Sequence, residues 1–401
     1  MAVSTIGSRT VGIIYPLLAL TVISASPMQI GLVTFALTVP GLLFYMPAGL
    51  LADRVDPRSI MLFTEAGRAF AIATVLLAIL LDDVTITHII IAAFLEGGFG
   101  VTYSLAETAL LARLIPRDSM NSRLVASESG VHFAVLAGRP LGGLLYHFGA
   151  PVALAVNALL FLCSTGFLSA ISRRRRNHEP RATSFRQLMA GMRSLSYQRL
   201  LGEIRSGIQE LRRHRFMKHA IFATTTTNLA INTVIIIFMA GSANLSPILV
   251  GIILSAGGFG GAIGSNLARF PWVQKRIKPG TTALVTQMWI WVFALMITTL
   301  TDPMYYGLAT LVTGCTGSLM NVSIRMYELR EVERSMLGRV VSVHRLASHA
   351  AVCVAAPLGG WLASVQTSGE ATRFILAFTI AAAVCASVAM PRWRQLLTPA
   401  R

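Results

Sequence analysis

Apolar segments about 20 residues long recur from one end of this 401-residue chain to the other. An α-helix of that length spans the hydrocarbon core of a bilayer. Hydrophobic residues make up 54% of the chain and charged residues 13%, whereas soluble proteins carry about 25% charged residues. The sequence therefore predicts an all-α polytopic membrane protein with twelve transmembrane helices. The predicted spans are 3–24, 30–52, 60–81, 87–112, 124–147, 151–172, 218–240, 247–268, 280–300, 304–325, 340–364 and 371–390.

The distribution of the net charge of +17 predicts how the spans are oriented. Lys and Arg are absent from alternate connections, namely 25–29, 82–86, 148–150, 241–246, 301–303 and 365–370. The other connections are rich in arginine, as at Arg54, Arg58 and the run Arg173–Arg176. Because basic connections remain in the cytoplasm, we expect both termini there and a location in the cytoplasmic membrane. A nucleic-acid partner would need the positive charge on one solvated face, so none is expected.

Two short segments occur twice, at nearly the same offset. Residues 26–31, Ser-Pro-Met-Gln-Ile-Gly, correspond to 246–251, Ser-Pro-Ile-Leu-Val-Gly, and the Pro-Leu-Gly-Gly at 140–143 reappears at 357–360. Such landmarks indicate two pseudo-symmetric six-helix bundles joined in parallel. The predicted domains are an N-terminal bundle at 1–172, a cytoplasmic basic linker at 173–217 and a C-terminal bundle at 218–401. The first span begins within a few residues of Met1, which leaves open a start further upstream.

The linker contains one amphipathic segment. Leu200, Ile204, Ile208 and Leu211 recur at helical spacing, with charged residues on the other face. We expect a helix lying on the inner leaflet, within a charged linker that binds anionic lipid headgroups.

The segment 49–58, Gly-Leu-Leu-Ala-Asp-Arg-Val-Asp-Pro-Arg, separates the second and third spans. It resembles the loop between the second and third helices of the major facilitator superfamily of transporters. The resemblance implies that Asp53 lies against the amino end of the eleventh helix, near Arg339, and gates the cytoplasmic side. A solvated turn is the alternative, and Asp56-Pro57 departs from the family pattern, in which Gly-Arg is common. The predicted gating residues are Gly49, Asp53, Arg54, Arg58, Glu65, Arg68 and Arg113.

The fifth predicted span ends in Gly138-Arg139-Pro140-Leu141-Gly142-Gly143. This run resembles the antiporter signature of the same superfamily, except that Arg139 replaces a glycine. The resemblance implies that Gly138, Pro140, Gly142 and Gly143 kink the helix and seal the bundle against leaks. A purely structural kink is the alternative.

Glu96 and Arg139 lie at similar depth, roughly 14 Å and 12 Å from the outer surface at 1.5 Å per residue. Two unpaired charges at such depth are costly, so we expect them to face each other or a watery cavity. A carboxylate there can exchange a proton for cargo, whereas a static ion pair would only pack helices. Asn228 and Asn232 in the seventh span either line the same pathway or bond across helices.

Over its whole length the chain resembles a twelve-helix member of the major facilitator superfamily. Glu96, the Gly-Arg-Pro-Leu-Gly-Gly run and the segment 337–342 point to the enterobactin-exporter-like branch, which includes transmembrane secretion effectors and macrolide efflux proteins. The resemblance implies a monomer that exports a small, largely apolar compound by proton antiport and alternating access. No phosphate-binding loop, catalytic motif or metal-ligand spacing is found, so we expect no enzyme activity, cofactor or metal. An importer or facilitator of a small solute, and a non-transporting membrane sensor or assembly partner, remain alternatives.

Overall fold

The computed structural model describes residues 2–114, 136–170, 197–276, 280–333 and 336–389. Every regular element in these ranges is a helix. The helices are α1 Ala2–Thr21, α2 Pro27–Thr38, α3 Pro40–Arg54, α4 Pro57–Leu80, α5 Ile86–Leu114, α6 136–147, α7 Ala150–Ala170, α8 Tyr197–Arg213, α9 Arg215–Ala240, α10 Pro247–Leu267, α11 Pro271–Arg276, α12 Thr281–Thr298, α13 Pro303–Glu331, α14 Leu337–Val365 and α15 Ser368–Ala389.

Ten of the described segments are long and apolar enough to cross a membrane. They confirm the predicted all-α, polytopic membrane fold. The two other predicted spans are 124–147, of which only 136–147 is described, and 280–300, which contains the shorter apolar helix α12. A count of twelve membrane helices is consistent with both observations.

The second predicted span, 30–52, is divided into two helices. Helix α2 ends at Thr38 and α3 begins at Pro40, with Val39 capping both. Proline has no amide hydrogen and its ring clashes with the preceding turn, so a continuous helix is interrupted there.

The segment 49–58 is mostly helical rather than a loop. Helix α3 continues to Arg54 and α4 begins at Pro57, which leaves Val55 and Asp56 as the whole turn. The Asp56 carboxylate accepts hydrogen bonds from the backbone amides of Arg58 and Ser59 and so caps α4. Proline suits the first position of a helix, and aspartate suits the residue before it. Asp56 and Pro57, which depart from the family pattern, therefore form the start of a helix.

The described helices group into two compact units. The first comprises Met1–Arg199 and Ser242–Ser255, and the second comprises Leu200–Gly241 and Ala256–Arg401. In the first unit α4 packs against α5 and α7, and in the second α9 packs against α14 and α15. The division of the chain into a bundle, a linker and a second bundle at residues 172 and 217 stays a prediction.

Helix α4 shows the polarity expected of a protein surrounded by lipid. Phe63 and Phe70 are 64% and 71% exposed, whereas Glu65 and Arg68 are almost completely buried. Apolar side chains can face hydrocarbon, but charged side chains must be enclosed by other helices. Glu65 and Arg68 therefore belong to the interior of the first unit.

The two copies of Pro-Leu-Gly-Gly pack in the same way, each within its own unit. A Cβ atom added at Gly142 would lie 3.0 Å from the carbonyl oxygen of Thr10 on α1. A Cβ atom added at Gly359 would lie 2.8 Å from the carbonyl oxygen of Thr233 on α9. Glycine at both positions lets two helix backbones approach closely. The sequence repeat thus corresponds to a repeated helix contact.

The predicted amphipathic helix of the linker is α8. Its Leu211 belongs to the buried core of the second unit, together with Phe216, Val332 and Val340. A Cβ atom at Gly207 would lie 2.9 Å from the carbonyl oxygen of Arg339, so α8 contacts the start of α14. The sequence predicted that the apolar face of this helix contacts the inner leaflet. At Gly207 and Leu211 the helix instead packs against other helices of the second unit.

Candidate functional site

Three ionisable side chains from two helices of the first unit form one buried cluster. Arg68 on α4 donates through Nε and Nη2 to Oε1 of Glu96 on α5, over 2.9 and 2.5 Å. Its Nη1 donates over 3.3 Å to Oε1 of Glu65, one turn earlier on α4. The three side chains are 1%, 3% and 0% exposed, in the order Arg68, Glu96 and Glu65. We call these three residues the carboxyl–arginine cluster.

Helices α1 and α7 complete the surroundings of Arg68. Ser4 accepts a hydrogen bond from Nη1 over 3.1 Å and donates one to Oε1 of Glu65 over 2.5 Å. Ser8 accepts from Nη2. The Phe161 ring of α7 lies 4.0 Å from the guanidinium carbon, which is a cation–π contact. Arg68 is therefore held by four helices and has a partner at each of its three nitrogens.

The cluster has two carboxyl groups for one guanidinium. If both carboxyl groups are ionised, one negative charge has no cation, and an uncompensated charge in a membrane interior is costly. Oε2 of Glu65 and Oε2 of Glu96 are buried and have no hydrogen-bond partner within the described residues. One proton bound to either carboxyl group would make the net charge of the cluster zero.

The predicted pairing of Glu96 with Arg139 is wrong. Glu96 is bound to Arg68, whereas Arg139 donates from Nη1 to the carbonyl oxygen of Leu254, 2.5 Å away. Similar depth in the bilayer does not place two residues on facing sides of their helices, which explains the error. Arg139 is partly buried on α6, next to Gly138, which packs against Arg9 of α1.

The predicted gating residues divide into four groups. Arg58 donates to the carbonyl oxygens of Leu168 and Ser169, over 3.0 and 2.7 Å, and thereby caps the end of α7. Glu65 and Arg68 belong to the carboxyl–arginine cluster. Gly49 lies on α3 with nothing within 4 Å of an added Cβ. The side chains of Asp53, Arg54 and Arg113 lie outside the described residues, and the gating role stays a prediction.

The predicted kink residues lie on α6, where the three glycines mark close helix contacts. An added Cβ would lie 2.6 Å from Cβ of Arg9 at Gly138, and 2.3 Å from the carbonyl oxygen of Pro247 at Gly143. Gly142 faces Thr10, as described above. Pro140 lies between them, and the described residues on both sides of it are helical. These contacts make α6 tightly packed, and its function as a seal remains a prediction.

Asn228 and Asn232 bond to their own helix. Nδ2 of Asn228 donates to the carbonyl oxygen of Thr224, and Nδ2 of Asn232 donates to that of Asn228, each over 2.8 Å. Neither of these hydrogen bonds crosses to another helix, so their predicted place in a transport pathway stays a prediction.

The second unit contains a buried polar group that the sequence did not identify as a site. His344 of α14 lies between Glu328 of α13, 3.1 Å from Nδ1, and Thr224 of α9, 3.2 Å from Nε2. Glu328 is only 3% exposed. Glu328 lies beyond the predicted span 304–325, close to Arg325, Arg330 and Glu331, so nothing in the sequence marked it as buried. Ser4 and Ser8 were missed for another reason, because serine is common in membrane helices and carries no charge.

Comparison with known proteins gives one family and a set of similar folds. The family model described as Major Facilitator Superfamily matches residues 1–356. None of the curated proteins matches the chain significantly.

Three solved structures illustrate the structural similarity. The nucleoside transporter NupG shares 13% identity at a TM-score of 0.69, covering 98% of each chain. A POT family transporter in complex with 5-aminolevulinic acid has 9% identity and a TM-score of 0.69, covering 98% of this chain and 96% of that one. A bacterial homologue of the iron transporter ferroportin, in an inward-facing state, has 14% identity and a TM-score of 0.67, with the same coverage. At such low identity the similarity establishes the fold.

Proposed function

The chain belongs to the Major Facilitator Superfamily, and from this premise we propose that it is a proton-coupled exporter. Its cargo would be a small, largely apolar compound that crosses the cytoplasmic membrane by alternating access. The observation that carries the proposal is the carboxyl–arginine cluster, in which Glu65 and Glu96 share one guanidinium in the interior of the first unit.

The cluster supplies the chemistry that proton coupling needs. In its neutral state it holds one proton, one carboxylate and the guanidinium of Arg68. Loss of that proton leaves a buried negative charge, which favours a conformation that hydrates the cluster or brings a counter-charge near it. Alternation between these states links proton movement to a conformational change, which is the requirement for secondary transport.

The orientation proposed from the basic connections can be tested by cysteine labelling. After the four native cysteines are replaced by alanine, Val84→Cys and Asn244→Cys should react with an impermeant maleimide in intact cells. Ser184→Cys should react only after the membrane is permeabilised. Labelling of Ser184→Cys in intact cells would show that the termini and the linker lie on the outer side.

Substitution of either carboxyl group tests the coupling role. Glu65→Gln and Glu96→Gln each leave one carboxylate and one guanidinium, so the cluster is permanently neutral and the fold should be retained. We expect proton-driven accumulation in proteoliposomes to fall by at least about tenfold, while exchange of cargo across the membrane at equal pH continues. The assay uses a macrolide antibiotic and a lipophilic fluorescent dye as probes, with an imposed pH gradient of either sign.

Glu331→Gln is the matched control, because Glu331 is exposed at the end of α13. It should accumulate the probes at the native rate. Full uphill accumulation by both cluster variants would exclude the cluster as the proton carrier. Movement of the probe in the same direction as the protons, rather than in the opposite direction, would favour the importer alternative.

A further inference from the structure

Arg9, Arg68 and Arg139 lie away from the ends of the predicted spans of the first unit, and their surroundings differ sharply. Arg68 binds two carboxylates and two serines. Arg139 makes one hydrogen bond to the described residues, to a backbone carbonyl. For Arg9 no hydrogen bond or ion pair is found within the part of the chain that the structure describes. Two of the three cations therefore have no anionic partner within that part of the chain.

Arg9 and Arg139 are neighbours. Gly138, next to Arg139, packs so closely on α1 that an added Cβ would lie 2.6 Å from Cβ of Arg9. Thr10, next to Arg9, donates a hydrogen bond over 3.1 Å to the carbonyl oxygen of Gly138. The Arg9 and Arg139 side chains therefore start from adjoining positions on two closely packed helices, and both side chains are partly buried. The packing of α1 on α6 therefore keeps two positive charges near each other.

This arrangement is unfavourable unless an anion is present. A cation in a membrane span is costly alone, and a second cation beside it adds repulsion. A guanidinium has five N–H donors in a planar fork, which matches the oxygen atoms of carboxylate and phosphate groups. Arg139 uses one nitrogen on the carbonyl of Leu254, which fixes its position and leaves the other donors for a ligand.

We propose that Arg9 and Arg139 form a subsite that binds the carboxylate or phosphate group of the transported compound. The cargo is then an amphiphilic organic anion, with an apolar body and one acidic group. The inference rests on the proposed transport function for its biological meaning, but binding to the subsite can be measured without transport. An anionic lipid headgroup has the same chemistry and is the competing occupant.

The test measures binding of 4-phenylbutyrate and of its neutral amide to the purified protein by isothermal titration calorimetry. The protein is placed in nanodiscs of phosphatidylcholine, which carries no net charge. The native protein should bind the acid at least about tenfold more tightly than the amide, since charge-assisted hydrogen bonds form only with the acid. Arg9→Gln and Arg139→Gln should each remove that preference, and Arg373→Gln, at an exposed arginine of α15, should keep it.

The comparison of acid with amide on the native protein needs no variant, so a variant that fails to fold leaves the test intact. Equal affinity for acid and amide would overturn the proposal, as would an unchanged preference in both arginine variants. Loss of acid binding when the nanodiscs contain phosphatidylglycerol would assign the subsite to lipid and likewise overturn it. If the acid binds as expected but no probe is transported, the subsite stands and the proposed transport function fails.

Discussion

Arg68→Gln is expected to lower the apparent unfolding temperature in detergent by on the order of 10 °C. The substitution removes the only cation bound to Glu65 and Glu96 within the described residues and leaves two carboxyl groups buried without it. Removal of one partner from a buried ion pair typically costs about 3–5 kcal/mol. The loss should be smaller at acidic pH, because protonation of both carboxyl groups removes the buried negative charges.

The triple variant Arg68→Gln, Glu65→Gln, Glu96→Gln distinguishes charge from shape. If uncompensated charge causes the instability, neutralising both carboxyl groups should restore much of the lost stability. Arg345→Gln, at an exposed arginine on α14, serves as the control and should leave the unfolding temperature unchanged. An Arg68→Gln protein as stable as the native one at neutral pH would show that the cluster is not a buried ion pair.

The sequence indicated correctly that Glu96 needs a partner, but it suggested the wrong one. Depth alone matched Glu96 with Arg139, whereas Arg68 on the third predicted span was placed among the gating residues. Which cation it meets depends on the rotation of each helix about its axis. That rotation is set by packing against several neighbours at once, including Ser4 and Ser8 of α1, and no single helix encodes it.

The sequence at the turn after α3 contains a helix-start signal that was not recognised. Asp56 followed by Pro57 is a typical helix start, with a capping carboxylate and a proline in the first turn. Comparison with the family pattern drew attention to the loop instead. By contrast, the all-α, polytopic membrane fold could be predicted, because the length and polarity of the apolar segments indicate it.

Helix α1 connects the two charged features of the first unit. Ser8 contacts Arg68 of the carboxyl–arginine cluster, and the next residue is Arg9 of the proposed anion subsite. An anion leaving a cell that is negative inside gains about 2.3 kcal/mol per charge per 100 mV, and a proton entering gains the same amount. In an exchange of an organic anion for a proton, the membrane potential would therefore drive both the exit of the anion and the entry of the proton. An anionic cargo suits the export direction better than a neutral one.

Gly260→Val is expected to destabilise the protein by about 3 kcal/mol or more and to reduce the yield of monodisperse protein. A Cβ atom at Gly260 on α10 would lie 2.0 Å from the carbonyl oxygen of Leu311 on α13. One at Gly264 would lie 2.2 Å from the carbonyl oxygen of Cys315, so close contact continues along the same two helices. Because the clashing atoms belong to the backbone, no side-chain rotation can relieve them and the helices must move apart.

Gly166→Ala on α7 is the matched control for this variant, since nothing lies within 4 Å of an added Cβ there. Alanine favours the helix over glycine by roughly 0.5–1 kcal/mol, so this variant should be as stable as the native protein or slightly more stable. Size-exclusion chromatography and thermal unfolding in detergent measure both effects. A Gly260→Val protein that unfolds at the native temperature would contradict the close packing of α10 on α13. Lipid is as apolar as the helix surfaces, so such backbone contact, rather than exclusion of water, has to hold these two helices together.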